Sequence, residues 1–231
     1  MIPLHDDNPT RLLPLVTVAV IIGCVLAFLW QFLQPPRTQE LLVMSLGVTP
    51  AALLGDFRPS PVLYSLPPWG TLVTSMFLHG GWMHLAGNML YLWIFGNNVE
   101  DAMGHVRFVA FYAVCGITAA LVQAYLNPSS TTPMIGASGA ISGILGAYLL
   151  LYPRARVLVL LPIGVYTRLL RLPAVVVLGF WFVFQIVNTL LANGAGGGVA
   201  WGAHIGGFVA GLLLIPLFKY RNVSLFHPKN P

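Results

Sequence analysis

Two short segments carry side chains that can act together in hydrolysis. The first, Gly136-Ala137-Ser138-Gly139, opens an apolar run, and the second places His204 near the start of another apolar run. A hydroxyl beside glycines at the start of a helix is poorly covered, so a partner on another helix can reach it. Serine and histidine within hydrogen-bond distance form a nucleophile and its general base. We therefore expect Ser138 and His204 to form a catalytic pair.

The spacing of glycines indicates that the two helices carrying this pair pack closely. Gly207 and Gly211 follow the histidine by three and seven positions, which places them on its helical face. Gly139 and Gly143 repeat the same four-residue spacing beside the serine. Small residues at this spacing let the backbones of two membrane helices approach one another. The same glycines also suit packing without chemistry, and the histidine at membrane depth is what favours catalysis.

A second polar pair precedes these segments. His84 and Asn88 are four residues apart and share one face of a helix, and His79 lies just upstream. Two hydrogen-bond donors on one face can stabilise an oxyanion. They can equally join neighbouring helices, a common role of polar side chains in membranes.

A third member of a catalytic triad is missing from the sequence. None of the acids lies within the apolar runs that carry the serine and the histidine; the six acids are Asp6, Asp7, Glu40, Asp56, Glu100 and Asp101. We therefore predict a Ser–His dyad whose histidine is oriented by packing or by polar neighbours.

Composition identifies the chain as a polytopic membrane protein. Of its 231 residues, 57% are hydrophobic and only 7% are charged, and the mean hydropathy is +0.82. Six apolar runs reach or approach spanning length: Leu12–Leu33, Met83–Val99, Phe108–Leu126, Ala137–Tyr152, Pro173–Leu191 and Gly202–Phe218. The fourth run covers only about 24 Å as a helix, which places Ser138 below the membrane surface, on the floor of a cavity.

The basic residues predict the orientation. With six spans, nine of the eleven lie on one side: Arg11, Arg107, Arg154, Arg156, Arg168, Arg171, Lys219, Arg221 and Lys229. Only Arg37 and Arg58 lie on the other side. Positive charge marks the cytoplasmic face, so both termini are expected there and the cavity opens outward. We expect a multi-pass protein of a cell membrane, a prokaryotic plasma membrane.

Two segments between the spans carry expectations of their own. In the long connection 34–82, Trp69, Leu72, Val73, Met76 and Phe77 repeat at helical spacing, which predicts an amphipathic helix in the membrane interface or an apolar lid on the bundle. The segment Val157–Val165 is too short to span and is interpreted as an interfacial loop. The predicted fold is an all-α membrane protein: a six-transmembrane-helix bundle with a long membrane-associated loop between the first two helices.

Taken together, these motifs resemble the rhomboid family of intramembrane serine proteases. The matching residues are His79, His84, Asn88, Gly136-Ala137-Ser138-Gly139, Ala203, His204, Gly207 and Gly211. The resemblance covers about residues 65–218 of a single polytopic domain, 1–231, with short cytoplasmic tails. It implies Ser138 as nucleophile, His204 as base, and His84, Asn88 and the Ser138 N–H as oxyanion donors. It also implies cleavage of single-span membrane proteins near the outer membrane surface, at segments with small, helix-destabilising residues.

Two positions depart from the family pattern. Gly70 follows Trp69 where members often carry an arginine, and Ser142 stands where some members place an aromatic ring against the histidine. Neither change removes a catalytic group, so both leave an active enzyme as the expectation.

Other classes of function fit the sequence less well. A zinc protease built on His79, His84 and His204 would lack a His-Glu-x-x-His motif and a nearby acid. A helix-binding scaffold without activity would typically lack the serine or the histidine, and a transporter would show a repeat or an acid at membrane depth. Cys24 and Cys115 lie in apolar runs and indicate neither a disulfide nor a metal site. No cofactor or metal is expected, and the scattered charges indicate lipid rather than nucleic acid as the partner.

Overall fold

The computed structural model describes residues 1–60, 63–64, 66–163, 166–191 and 199–226. The helices are α1 (Leu15–Phe32), α2 (Pro36–Leu46), α3 (Pro50–Leu54), α4 (Thr71–Thr74), α5 (Trp82–Met103), α6 (His105–Leu126), α7 (Ser138–Leu151), α8 (Ala174–Leu191) and α9 (Trp201–Phe218). Short 3₁₀ turns, Pro68–Gly70 and Ser75–Phe77, flank α4. Three strands, β1 (Ile2–Asp6), β2 (Arg156–Ile163) and β3 (Tyr166–Pro173), form one antiparallel sheet.

Helix α7 lies at the centre of the bundle. It packs against α5, α6 and α9, and the side chains of Ile144, Leu145 and Tyr148 are fully buried. Its sequence has small residues in the first half and large apolar residues in the second. The first half therefore admits close neighbours, while the second half anchors the helix in the core.

The junction between α5 and α6 depends on a glycine and an acid. Gly104 joins the helices with φ +79°, and a Cβ there would clash with the hydroxyl of Tyr220. The fully buried carboxylate of Glu100 accepts the N–H groups of Val16 and Thr17 at 2.9 and 2.8 Å. Because α1 has no side-chain cap of its own, Glu100 supplies the missing acceptors and a negative charge at its N-terminus.

The sheet corrects the all-α prediction and the interpretation of Val157–Val165 as an interfacial loop. The described part of that segment belongs to β2, whose Val157 and Val159 are fully buried; Val165 lies outside the described residues. β2 pairs with both β1 and β3. A short, continuous apolar run does not reveal its own period, and the strand that completes the sheet lies about 150 residues away in the sequence.

A buried carboxyl fastens the sheet to the bundle. Asp6 of β1 is 5% exposed; it accepts a hydrogen bond from the Tyr148 hydroxyl at 2.5 Å and one from Asn98 Nδ2 at 3.0 Å. Burial raises the pKa of Asp6 to about 6, and the hydrogen bond from Tyr148 partly opposes this shift. The N-terminal strand is thus tied to the helix that begins with Ser138.

The connection between α1 and α5 contains more helix than the sequence predicted. The helix α2 was missed, and the stretch Pro68–Phe77 is helical but divided by 3₁₀ turns. Its apolar residues do not share one environment: Met76 is 5% exposed, whereas Trp69 is 71% exposed. The hydroxyl of Thr74 donates to the carbonyl of Leu46 at 2.7 Å, which ties this stretch to the end of α2.

The helix ends agree closely with the ends of the six predicted spans. By length and composition, however, fewer than six of these helices qualify as membrane-spanning. Within the described part of the chain, four helices are long and apolar enough to cross a membrane: α1, α6, α8 and α9. Helix α7 is apolar but has 14 residues, about 21 Å at 1.5 Å per residue. The protein is mostly helical and belongs in a membrane.

Candidate active site

Ser138 is the first residue of α7. The residue two positions before it, Gly136, has φ +126°, a conformation that L side chains rarely adopt, and its N–H donates to the carbonyl of Ser75 at 2.9 Å. This turn starts α7 with the serine in its first turn, where backbone N–H groups have no partner within the helix. The hydroxyl and these N–H groups are therefore available together.

His204 of α9 reaches the serine directly. Its Nε2 lies 2.8 Å from Ser138 Oγ, and its Nδ1 lies 2.8 Å from Oε1 of Gln185 on α8. The rings of Trp181 and Trp201 lie beside the imidazole, each with its centroid 6.0 Å away. Both ring nitrogens thus have a polar neighbour, and two aromatic side chains lie next to the ring.

Glycines bring α9 against α7. A Cβ on Gly207 would clash with the carbonyl of Gly139, and a Cβ on Gly211 would clash with the carbonyl of Gly143. Gly207 and Gly211 are both buried in this contact. Backbones at this separation allow a serine and a histidine, both with short side chains, to meet across the interface.

His84 lies beside Gly136, the residue that precedes the serine by two positions. A Cβ on Gly136 would lie 2.8 Å from His84 Nε2 and 3.7 Å from Ser138 Oγ, so this position has room only for glycine. The Gly80 N–H donates to His84 Nδ1 at 3.3 Å. With Nδ1 as the acceptor, the proton of a neutral ring is on Nε2, the nitrogen that faces Gly136.

Asn88 lies one turn further along α5 and is 8% exposed. Among the described residues its Nδ2 has no hydrogen-bond partner. A buried N–H without a partner costs about 1–3 kcal/mol. Such a cost is typical of a group whose partner is a ligand rather than the protein.

His79 packs behind His84 and not beside the serine. It is fully buried, its Nδ1 lies 3.2 Å from the carbonyl of Phe77, and its ring meets that of His84 edge to face at 5.2 Å. Burial, and secondarily the neighbouring His84, lowers the pKa of His79 to about 4. A neutral His79 can therefore support the position of His84 without adding charge.

Two polar residues near the serine were not assigned a role from the sequence. Ser142 is buried and its hydroxyl donates to the carbonyl of Ser138 at 2.6 Å, so it closes the first turn of α7 instead of contacting the histidine. Gln185 is 3% exposed and contacts His204. Gln185 could have been singled out from the sequence, since an amide side chain inside an otherwise apolar run is uncommon in membrane helices.

A small cavity of about 40 Å³ opens beside the serine. Most of its lining residues are small or apolar. They come from the α2–α3 loop, the 3₁₀ turn Ser75–Phe77, α6, α7 and the beginning of α9 with the residue before it, and include Val48, Met76, Gly116, Ala119, Ala200 and Ala203. This volume holds a few water molecules. The site thus has a hydroxyl, an imidazole, unpaired donors and room for water.

Comparisons with known proteins identify the family of the chain. Residues 67–221 match the family model described as "Rhomboid domain". The chain is 38% identical over 143 residues to "Rhomboid protease GluP" of Bacillus subtilis (strain 168), which is 62% of this chain and 25% of GluP. It is 30% identical over 191 residues to "Rhomboid protease AarA" of Providencia stuartii, which is 77% of this chain and 62% of AarA.

A third relative is "Rhomboid protein 1, mitochondrial" of Saccharomyces cerevisiae (strain ATCC 204508 / S288c), 30% identical over 152 residues, or 62% of this chain and 40% of that protein. The matched region thus spans from a quarter to about three fifths of these three relatives. The family model covers more than half of the chain, including the serine and the histidine described above. The chain therefore belongs to the rhomboid family.

Proposed function

We propose that this protein is an intramembrane serine endopeptidase that cleaves single-span membrane proteins with a Ser138–His204 dyad. The observation that carries the proposal is the 2.8 Å separation between Ser138 Oγ and His204 Nε2. A serine is a weak nucleophile unless an adjacent base removes its proton. Relatives whose names contain "protease" support the same class of reaction.

The mechanism uses the dyad in two steps. Ser138 Oγ attacks the substrate carbonyl while His204 Nε2 takes the hydroxyl proton. The imidazolium then gives this proton to the leaving amine, and an acyl-enzyme on Ser138 remains. Water, for which the cavity beside the serine has room, attacks the ester with His204 again as base, and Ser138 is released.

Three hydrogen-bond donors are candidates for stabilising the oxyanion. They are the backbone N–H of Ser138, which begins α7, the Nε2–H of His84 beside Gly136, and the unpartnered Nδ2 of Asn88. Donors that are oriented before the reaction stabilise a developing charge without reorganisation. This arrangement supports the catalytic role of His84 and Asn88 over a role as contacts between helices.

The geometry of His204 favours the serine mechanism over a zinc site of His79, His84 and His204. Nδ1 of His204 faces Gln185, and its Nε2 faces Ser138. A ring with both nitrogens in such contacts offers no free lone pair for a metal. The alanine and glycine lining of the cavity also suits small substrate residues, which unwind from a helix most readily when they include glycine.

We propose a single polytopic domain with six spans, a membrane-associated connection between the first two, and both termini in the cytoplasm. The basic residues beside the helix ends support this orientation. Lys229, one of them, lies outside the described residues. We further propose a prokaryotic plasma membrane as the location.

The test uses purified protein in detergent and in proteoliposomes with a labelled single-span substrate. Ser138→Ala and His204→Ala should each abolish cleavage, and a fluorophosphonate should label the wild type at Ser138 only. Ser129→Ala, a substitution at an exposed serine, is the matched control; this variant should keep both substrate cleavage and fluorophosphonate labelling. Turnover in Ser138→Ala at the wild-type rate would remove the serine mechanism, and loss of activity with a chelator that zinc restores would favour a metal site.

A further inference from the structure

The carboxylate that usually orients the base is replaced here by a buried amide. Gln185 of α8 is 3% exposed, and its Oε1 lies 2.8 Å from Nδ1 of His204. Its Nε2 donates to the carbonyl of Trp181, one turn earlier on the same helix, at 3.1 Å. Every polar atom of this side chain therefore has a partner.

The contact with Trp181 decides which end of the amide faces the histidine. A carbonyl oxygen only accepts hydrogen bonds, so the group that faces the Trp181 carbonyl must be the NH₂ of Gln185. The oxygen of Gln185 then faces the imidazole, and an amide oxygen also only accepts. It follows that Nδ1 of His204 carries the proton in the neutral ring.

We infer that Gln185 is a positioning residue that holds His204 in the tautomer with its lone pair on Nε2, aimed at Ser138. This inference rests on the proposed serine protease function and adds a third member to its dyad. Without an acceptor at Nδ1, the ring would also populate the other tautomer, which cannot take the serine proton. The rings of Trp181 and Trp201 limit the plane of the imidazole, and Gln185 fixes its rotation within that plane.

A neutral amide suits this location for a physical reason. A carboxylate buried among apolar helices costs more free energy of desolvation than an amide unless it is fully paired. The amide oxygen still accepts the Nδ1–H when His204 becomes an imidazolium, although it stabilises the positive charge less than a carboxylate would. The acid that the sequence lacks in these spans is thus replaced by a group whose burial costs less.

Two substitutions separate positioning from packing. Gln185→Met keeps the approximate volume but removes the acceptor, and it should lower kcat about 100-fold with little change in KM, because the base is no longer held in place. Gln185→Glu keeps an acceptor and adds charge. It should recover most of kcat at alkaline pH and move the acidic limb of kcat/KM upward by about one pH unit, since a nearby carboxylate favours the protonated imidazole.

Interpreting the pH profile requires knowing which titratable groups lie near His204. Among the described residues, the titratable side chain that interacts with His204 is His84 on α5. Because His84 is unchanged in every variant, a shift between the wild type and Gln185→Glu reports on His204 and the introduced carboxylate, which titrate as a pair. Asn188→Leu is the matched control. Asn188 lies on the same helix, and like Gln185 its side-chain amide donates to the carbonyl one turn earlier, here that of Phe184 at 2.7 Å. Asn188 does not contact the histidine.

Substrate cleavage is measured from pH 5 to 9. Each rate is divided by the fraction of the protein that is folded, as judged from its thermal unfolding curve. Wild-type kcat in Gln185→Met, or an equal loss in Asn188→Leu, would overturn the inference. If Gln185→Met does not fold, the Gln185→Glu profile decides alone: an unmoved acidic limb overturns it and an upward shift supports it. Ser138→Ala remains inactive in each of these cases, whereas activity in that variant would overturn the proposed function itself.

Discussion

At the residue scale, the proposed function depends on hydrogen-bond donors that the described residues leave unpaired. Asn88 is the clearest example, because its buried Nδ2 has no partner among the described residues. His84 differs, since Gly80 fixes its Nδ1 and leaves Nε2 as the donor beside the serine. Unpaired donors destabilise the free protein slightly and become favourable only when an oxyanion forms.

Asn88→Ala should therefore separate catalysis from stability. Losing one oxyanion donor is expected to lower kcat by about 100- to 1,000-fold, or about 3–4 kcal/mol, with little change in KM. Thermal stability should stay level or rise, because an unsatisfied buried group is removed. Kinetics and thermal unfolding of the same preparation check both parts.

Asn127→Ala, at an exposed position, is the control for this substitution and should leave kcat unchanged. A marked drop in melting temperature for Asn88→Ala, together with normal turnover per folded molecule, would identify Asn88 as a contact between helices instead.

At the scale of elements, the distance between α7 and α9 decides whether Ser138 and His204 can meet. Gly207 faces the carbonyl of Gly139, and the contact leaves no room for a methyl group. Because backbone atoms cannot move aside as a flexible side chain can, any larger residue must separate the helices. The same separation would draw His204 away from Ser138.

Gly207→Ala should consequently remain inserted and folded but lose about 100-fold in cleavage rate, since a displacement of about 1 Å between reacting groups has this effect. Gly179→Ala is the matched control, because a Cβ at Gly179 would have no neighbour within 4 Å. Cleavage assays and thermal unfolding of the two variants provide the measurement. Equal activity of the two would mean that the glycine contact does not set the dyad distance.

At the scale of the whole molecule, the N-terminal strand joins parts of the chain that are far apart in sequence. Asp6 connects β1 to Tyr148 on α7 and to Asn98 on α5. The pKa of Asp6 is about 6 in the folded protein against a usual value of 3.8, because burial disfavours the charged form. The folded state therefore binds more protons than the unfolded chain between these two values.

Stability should accordingly fall as the pH rises from about 4 to 6 and stay level above 6. Asp6→Asn keeps an acceptor for the Tyr148 hydroxyl and does not titrate, so it should remove a pH dependence of about 3 kcal/mol. Its melting temperature should exceed that of the wild type at pH 7.5 and approach it at pH 4.

Thermal unfolding in detergent across this range tests the prediction. Asp56→Asn, at an exposed position, should keep the wild-type profile. An unchanged pH dependence in Asp6→Asn would show that another group is responsible for it.

Local features of the sequence were sufficient to predict several parts of this molecule. The six apolar runs matched six of the helices, and most helix ends lie within a few residues of the predicted ones. An apolar run is a local property of the sequence, so it can be recognised without knowing how the helices pack. Residue type and spacing also predicted that Ser138 and His204 lie together and that glycines bring their helices close, as the structure shows; the catalytic roles of these residues stay predictions. The family inferred from these motifs is confirmed by the rhomboid domain match.

Other features depended on contacts between distant segments. The pairing of β1 with β2 joins residues about 150 positions apart, so neither strand carries a signal for it by itself. Whether Gln185 contacts lipid, a neighbouring helix or His204 depends on the rotation of α8, which an apolar run does not specify. A sequence states which groups are present and how often they recur, but hydrogen bonds between helices depend on distances and orientations that only the packed bundle determines.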